Sequence, residues 1–194
     1  MTSSRAQLLH DLALGKAEGE EPVRKLLFAE FGAVCDNVGD QRLGWDLQVA
    51  RFESKQLGLT AKEAADVASS FTKRFGTTIE VKRDKTSDRT GNLYWEVWSN
   101  KRLWNAGCIF ESKADTIVYV RKTEFIFLNR AKLLSWFFES IFLRDSVSDT
   151  CRTKTFRGNK IKLMSAANNW DVEGIILPIE LIKNSPACFY IVAR

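Results

Sequence analysis

A single histidine, His10, occurs in the 194 residues. That scarcity excludes a Ser-His-Asp triad, a histidine-built zinc site and a nuclease centred on a histidine base. The four cysteines, Cys35, Cys108, Cys151 and Cys188, stand far apart with no Cys-x-x-Cys pair. Neither a zinc ribbon nor a dense disulfide framework can be built from them, and reduced core thiols in a cytoplasmic, intracellular protein are the expectation. Long apolar runs are also missing: Leu133 to Phe138 and Ile175 to Ile182 are interrupted or far short of the roughly 20 residues that span a bilayer. Met1 to Lys16 mixes Arg5, His10 and Asp11 into its apolar residues rather than forming a clean targeting block. A soluble protein without a membrane partner is expected. No internal repeat or low-complexity tract is visible.

What is present suits one large domain, or a domain with an appendage: 45% of the residues are hydrophobic, and the net charge is +5. Such a basic excess permits a polyanionic partner without demanding one. Ser3 and Ser4 can cap a helix bearing Leu8, Leu9, Leu12 and Leu14, which Gly15 would end. Glu20-Glu21-Pro22 predicts a second helix start, because proline and acids suit a first turn; Val23, Leu26, Leu27 and Phe31 form its apolar stripe, with Glu20 near the edge. Gly32 closes it. Ala33 to Val38 and Gly44 to Ala50 read as strands, the second carrying Asp46 on the face opposite Trp45, Leu47 and Val49.

Thr60 and Glu63 form a capping box for a helix that runs to Phe75 and ends at Gly76. Thr77 to Asp84 is then a strand in which Ile79 and Val81 face one side while Glu80 and Lys82 share the other. The polar turn Asp88 to Asn92 leads to a strand over Leu93 to Asn100, whose large residues on both faces call for cover on both sides. Thr116 to Arg121 and Glu124 to Leu128 read as short strands and Asn129 to Ser140 as a helix. Beyond Arg144, Ile175 to Ile182 and Phe189 to Val192 are strand-like. The organisation expected is a core over residues 1–144 with a helical insertion at 55–76, and a C-terminal extension over 145–194 serving specificity or dimerisation.

An acid and a lysine two residues apart on one strand face suit phosphodiester hydrolysis when a second carboxylate stands nearby. The triplet alone says little, since Glu53-Ser54-Lys55 and Glu111-Ser112-Lys113 share it; as a solvated ion pair it would be of small energetic worth. Only Glu80-Val81-Lys82 lies in a β-branched run and follows a strand with an isolated acid.

Helix with Glu20, strand, strand with Asp46, strand with Glu80 and Lys82, then strand Tyr94 to Trp98, resembles the PD-(D/E)XK nuclease superfamily. Gly19-Glu20-Glu21-Pro22-Val23 looks like the helix of its resolvase-like members, and Gly44-Trp45-Asp46-Leu47 like their acid strand. Glu80-Val81-Lys82-Arg83-Asp84, followed by Thr90-Gly91-Asn92, Glu96 and Ser112 to Asp115, is similar to phage-type endonucleases of the group. The likeness covers residues 16–130.

It implies an α/β (α+β) fold, a restriction-endonuclease-like core in which a central mixed β-sheet is flanked by helices. It further implies a Mg²⁺-dependent deoxyribonuclease with Mn²⁺ as substitute: Asp46, Glu80 and the Val81 carbonyl as metal ligands, Glu20 as a possible further one, and Lys82 orienting the water or offsetting phosphorane charge. Glu18 and Glu21 rival Glu20, and Asp40 rivals Asp46. Lys73, Arg74, Arg83, Lys85, Arg89, Lys101 and Arg102 are the candidate DNA contacts, and Trp104 and Trp170 the candidate base-stacking residues. A homodimer would supply two sites for two strands. The alternatives are a non-catalytic nucleic-acid-binding protein on a nuclease-like scaffold and an assembly protein.

Overall fold

The computed structural model describes residues 16–38, 44–53, 58–100, 102–139, 153–156, 159–166 and 169–194. The helix expected over residues 3–15, together with His10, Asp40, Lys101, Cys151 and the Trp170 side chain, lies outside the described residues. Two compact units arise, Met1–Arg83 with Lys113–Val120, and Asp84–Ser112 with Arg121–Arg194.

In the first unit a π-helical turn, Lys16–Glu20, leads into helix α1, Glu21–Phe31, with Pro22 in its first turn. Val23 and Leu27 are fully buried. Gly32 ends the helix at φ 63°, a left-handed conformation that costs glycine nothing, and its N–H donates to the Leu27 and Phe28 carbonyls. Strand β1, Ala33–Asn37, pairs antiparallel with β2, Leu47–Phe52. Helix α2, Ala61–Phe75, begins at the Thr60–Glu63 capping box and stops at Gly76. Its Phe71 and Phe75 rings stack at 4.5 Å, and Phe31 meets both.

Strand β3, Thr78–Arg83, lies between β2 and β6, Thr116–Val120. It runs antiparallel to the first, Leu47 opposite Ile79, and parallel to the second, Glu80 opposite Ile117. The expected fold class is therefore present: an α+β chain with a mixed sheet flanked by helices.

In the second unit Lys85–Thr90 forms a short helix, α3, where the sequence suggested a polar turn from Asp88. Asp84 explains the difference, because its Oδ1 accepts from the Thr86 and Ser87 N–H groups and nucleates the turn upstream. Strand β4, Asn92–Asn100, pairs with β5, Asn105–Ala106, and with the tail strand β10, Asn169–Pro178. Strands β9, Asn159–Ala166, and β8, Thr153–Phe156, complete an antiparallel sheet of five strands in the order β5-β4-β10-β9-β8. The strand expected to follow Glu80 and Lys82 in their own sheet thus belongs to another one. Alternation identifies a strand but not its partner.

Trp95 is 2% exposed and packs on Trp136 and Phe137 of helix α5, Arg130–Phe137, whereas Tyr94 keeps 37% of its surface. Cover is therefore fuller on one face of β4 than on the other. A one-turn helix α4, Cys108–Glu111, precedes β6, and β7, Glu124–Asn129, pairs antiparallel with β11, Cys188–Ala193. Residues 175–182, read as one strand, change at Pro178 into helix α6, Ile179–Lys183. No helix among the described residues is long and apolar enough to cross a membrane.

Candidate active site

Five of the residues singled out in the sequence, Glu20, Asp46, Glu80, Val81 and Lys82, belong to the first unit. Strand β3 fixes three of them. Ile79 is completely buried, as the alternation requires, yet Glu80 on the other face is also only 9% exposed. Its carboxylate makes an ion pair with the Lys82 ammonium, whose side chain is 28% exposed. Burial pushes the Glu80 carboxyl above the usual range; Lys82 opposes this and the Asp46 charge adds to it.

Asp46 stands in a bend just before β2 rather than inside a strand. Its backbone is stitched in place from both sides, the N–H donating to the Ile79 carbonyl at 3.0 Å and the carbonyl accepting from Val38 at 2.8 Å. Its Oδ2 accepts from the Val81 N–H at 2.7 Å. The carboxylate thus reaches β3 between Glu80 and Lys82, and the Val81 group it engages is the amide N–H.

Glu20 is the last residue of the π turn and the N-cap of α1, with helical backbone and no capping hydrogen bond. Gly19 allows the turn to lie on β3, since a Cβ there would be 3.3 Å from Val81 Cγ1. The Glu20 Oε2 accepts from Asn37 Nδ2 at 2.9 Å. Burial raises the Glu20 carboxyl first, then Asp46 and, more weakly, Glu80; Lys16 and Arg24 oppose them. The rivals are turned elsewhere: Glu18 lies 3.9 Å from Arg83, and Glu21 pairs with Arg24 and Lys25.

These mutual effects and the coordination geometry differ in reach. The Glu20 carboxyl feels the charges of Asp46 and Glu80, and the Glu80 carboxyl that of Asp46, but among the described residues no three His, Cys, Asp or Glu side chains are grouped so as to hold a metal ion. Coulombic coupling extends over several ångströms more than a ligand bond, so both statements hold. Glu80 is paired with the Lys82 ammonium, and the Asp46 carboxylate is bound to the N–H of Val81, the residue between them.

The basic residues divide. Arg83 is 13% exposed and donates through Nη1 to the Val120 carbonyl, an internal role. Lys73 and Arg74 are exposed in the last turn of α2, with the Arg74 guanidinium 5.6 Å from the Phe75 ring centroid. Lys85, Arg89 and Arg102 are exposed on the second unit. Asn37 was not singled out from sequence; it stands 17 residues from the carboxylate it holds, and no local pattern signals such a pair. No family model, curated protein or solved structure matches the chain.

Proposed function

We propose that the chain is a Mg²⁺-dependent DNA endonuclease of the PD-(D/E)XK type, acting inside the cell as a homodimer and accepting Mn²⁺ in place of Mg²⁺. The observation that carries this reading is the meeting on β3 of a buried, lysine-paired carboxylate, Glu80, with the Asp46 carboxylate bound to the next residue's N–H. Two carboxylates fit a hard cation of this kind, which is commonly held by one or two of them and keeps water in its remaining positions. Asp46 and Glu80 would hold it, and Glu20, kept in place by Asn37, would fix a water at its edge. Bound there, the ion supplies Lewis acidity toward a phosphodiester.

The chain's own part is positioning and charge. Lys82, held by Glu80, directs its ammonium at the attacking water or at the charge that grows on the phosphorane oxygens. The water oxygen adds to phosphorus as the P–O bond to the leaving sugar oxygen breaks, the water gives up a proton to solvent, the departing sugar oxygen takes one up, and no covalent enzyme intermediate forms. The exposed Lys73 and Arg74 on one unit and Lys85, Arg89 and Arg102 on the other suit phosphate contacts.

Cleavage of plasmid and branched DNA with Mg²⁺ or Mn²⁺ tests this. Asp46→Ala and Lys82→Ala are each expected to lower the rate by about 10²-fold or more; undiminished cleavage by both variants contradicts it. The exposed basic residues by themselves would serve a second reading, a nucleic-acid-binding protein without hydrolytic activity. That reading requires DNA binding with no cleavage by the wild-type chain under either cation.

A further inference from the structure

A strand at the end of a sheet exposes a row of backbone N–H and C=O groups, and proteins blunt such edges with charge, proline, brevity or cover. Three of the four end strands in the described sheets are blunted in this way. Strand β5 is two residues long, and β8 carries Lys154. Strand β1 carries Asp36, and Arg24 Nε donates to its Cys35 carbonyl at 3.0 Å.

Strand β11 is different. Its six residues, Cys188–Ala193, include no charge and no proline. Strand β7 pairs with one side of it, and no described strand lies on the other. The register shifts once, between Cys188 and Tyr190, which leaves Tyr190–Ala193 regular. The Arg194 N–H donates to the Thr123 carbonyl at 2.9 Å, so alternation turns the backbone groups of Val192 toward β7 and those of Ile191 and Ala193 outward. Both outward residues are exposed, Ile191 by 45%. The cation at the end of the strand is turned away: the Arg194 guanidinium lies 5.6 Å from the centre of the Phe125 ring of β7, and its Nη1 donates to the Arg121 carbonyl at 3.4 Å.

Charge selects the occupant of this edge. A chain of net charge +5 repels its own copy wherever both bring cations, and along β11 neither does. An acidic or a basic peptide finds no counter-charge on the strand. A two-fold axis makes the strand its own antiparallel complement, because the outward donors and acceptors of Ile191 and Ala193 then meet those of the same two residues. The two Arg194 residues stand at opposite ends of such a pair.

We propose that β11 is a self-association edge, at which two copies of the chain pair antiparallel through Tyr190–Ala193. This gives the homodimer of the nuclease reading its interface and rests on that reading only for the second copy. So short a ladder makes a small interface, and a reversible dimer with a dissociation constant on the order of 10 μM follows.

The test uses the full chain without DNA or divalent cation. Sedimentation equilibrium is expected to show monomer and dimer in exchange, and hydrogen–deuterium exchange resolved to single amides shows where the dimer forms. Raising the concentration from about 1 μM to about 500 μM should slow exchange at Ile191 and Ala193 about tenfold, while the Val192 amide, which faces β7, is protected throughout. Ile191→Lys, at an exposed position, should leave the melting temperature of the monomer unchanged and raise the dimer dissociation constant about tenfold or more, since it sets like charges across the axis. A chain that stays monomeric over that range overturns the proposal. So does a dimer that leaves the Ile191 and Ala193 amides unprotected, or one that a folded Ile191→Lys variant forms as tightly as wild type; either result puts the homodimer contact elsewhere. If Ile191→Lys does not fold, the exchange measurement on wild type decides. A chain that dimerises at β11 and cleaves no DNA would refute hydrolysis and leave the interface standing.

Discussion

Glu80 is a carboxylate with 9% of its surface exposed and a close cation in Lys82. A buried charge that loses its partner costs far more than a surface pair returns. Lys82→Ala is therefore expected to lower unfolding stability by about 1–3 kcal/mol, less than for a fully buried pair because Lys82 itself is partly exposed. The double variant Lys82→Ala/Glu80→Gln should recover part of that loss, since a neutral amide needs no counter-charge; urea denaturation of wild type, both singles and the double closes the cycle. A double variant no more stable than Lys82→Ala would mean that the lost term was lysine packing. The alternation of side chains made the Glu80–Lys82 pair legible in the sequence. The burial of that face was not legible, because what covers a strand comes from elsewhere in the chain. Glu20 with Asn37 and Asp46 with Val81 are likewise distant in sequence, and only the fold joins them.

At the scale of elements, β3 is held in its unit by a carboxylate at the head of β6. Asp115 Oδ2 accepts from the Thr77 N–H at 2.8 Å, the Thr78 N–H at 3.1 Å and the Thr78 hydroxyl at 3.0 Å. Gly76 must lack a side chain for this approach, a Cβ there lying 2.2 Å from that of Asp115. Asp115→Ala is expected to cost about 1–2 kcal/mol by chemical denaturation, solvent replacing part of what an exposed carboxylate provides. In the second unit Glu124 on β7 takes an ion pair from Lys183 of α6 at 2.8 Å and another from Arg121. Burial alone would raise the Glu124 carboxyl; the hydrogen bonds from Lys183 and Arg121 outweigh it and hold the group below its ordinary value. A depressed folded-state carboxyl stabilises above its unfolded pKa, and that stabilisation is lost as pH falls through the folded value. Glu124→Gln should thus be less stable than wild type at neutral pH by about 1–3 kcal/mol, with the gap closing below about pH 4. A gap that is constant across pH in thermal melts would show that charge is not its source. Several elements were readable from local chemistry alone, among them the Thr60–Glu63 box, the Gly32 and Gly76 stops and the helix from Asn129. The strand-to-helix change at Pro178 and the pairing of β4 with β10 were not, because neither is decided within the window that alternation covers.

Across the whole molecule the chain passes between its units repeatedly, residues 84–112 belonging to the second and 113–120 returning to the first. Such interleaving leaves no linker or composition shift for the sequence to display. The net charge of +5 was legible, and the described structure leaves Lys73, Arg74, Lys85, Arg89 and Arg102 exposed while Arg83 is used internally. The proposal as a whole depends on whether Asp46 and Glu80 act together on a cation. Thermal denaturation with and without millimolar Mn²⁺, on wild type and on the Asp46→Asn/Glu80→Gln variant, asks this most directly, because a ligand that binds only the native state must raise its melting temperature. The expected result is a rise of several degrees in wild type, about 2–4 °C per kcal/mol of binding free energy at this chain length, and none in the variant. An unchanged wild-type melting temperature, or an equal rise in the variant, would contradict a cation site at these two carboxylates.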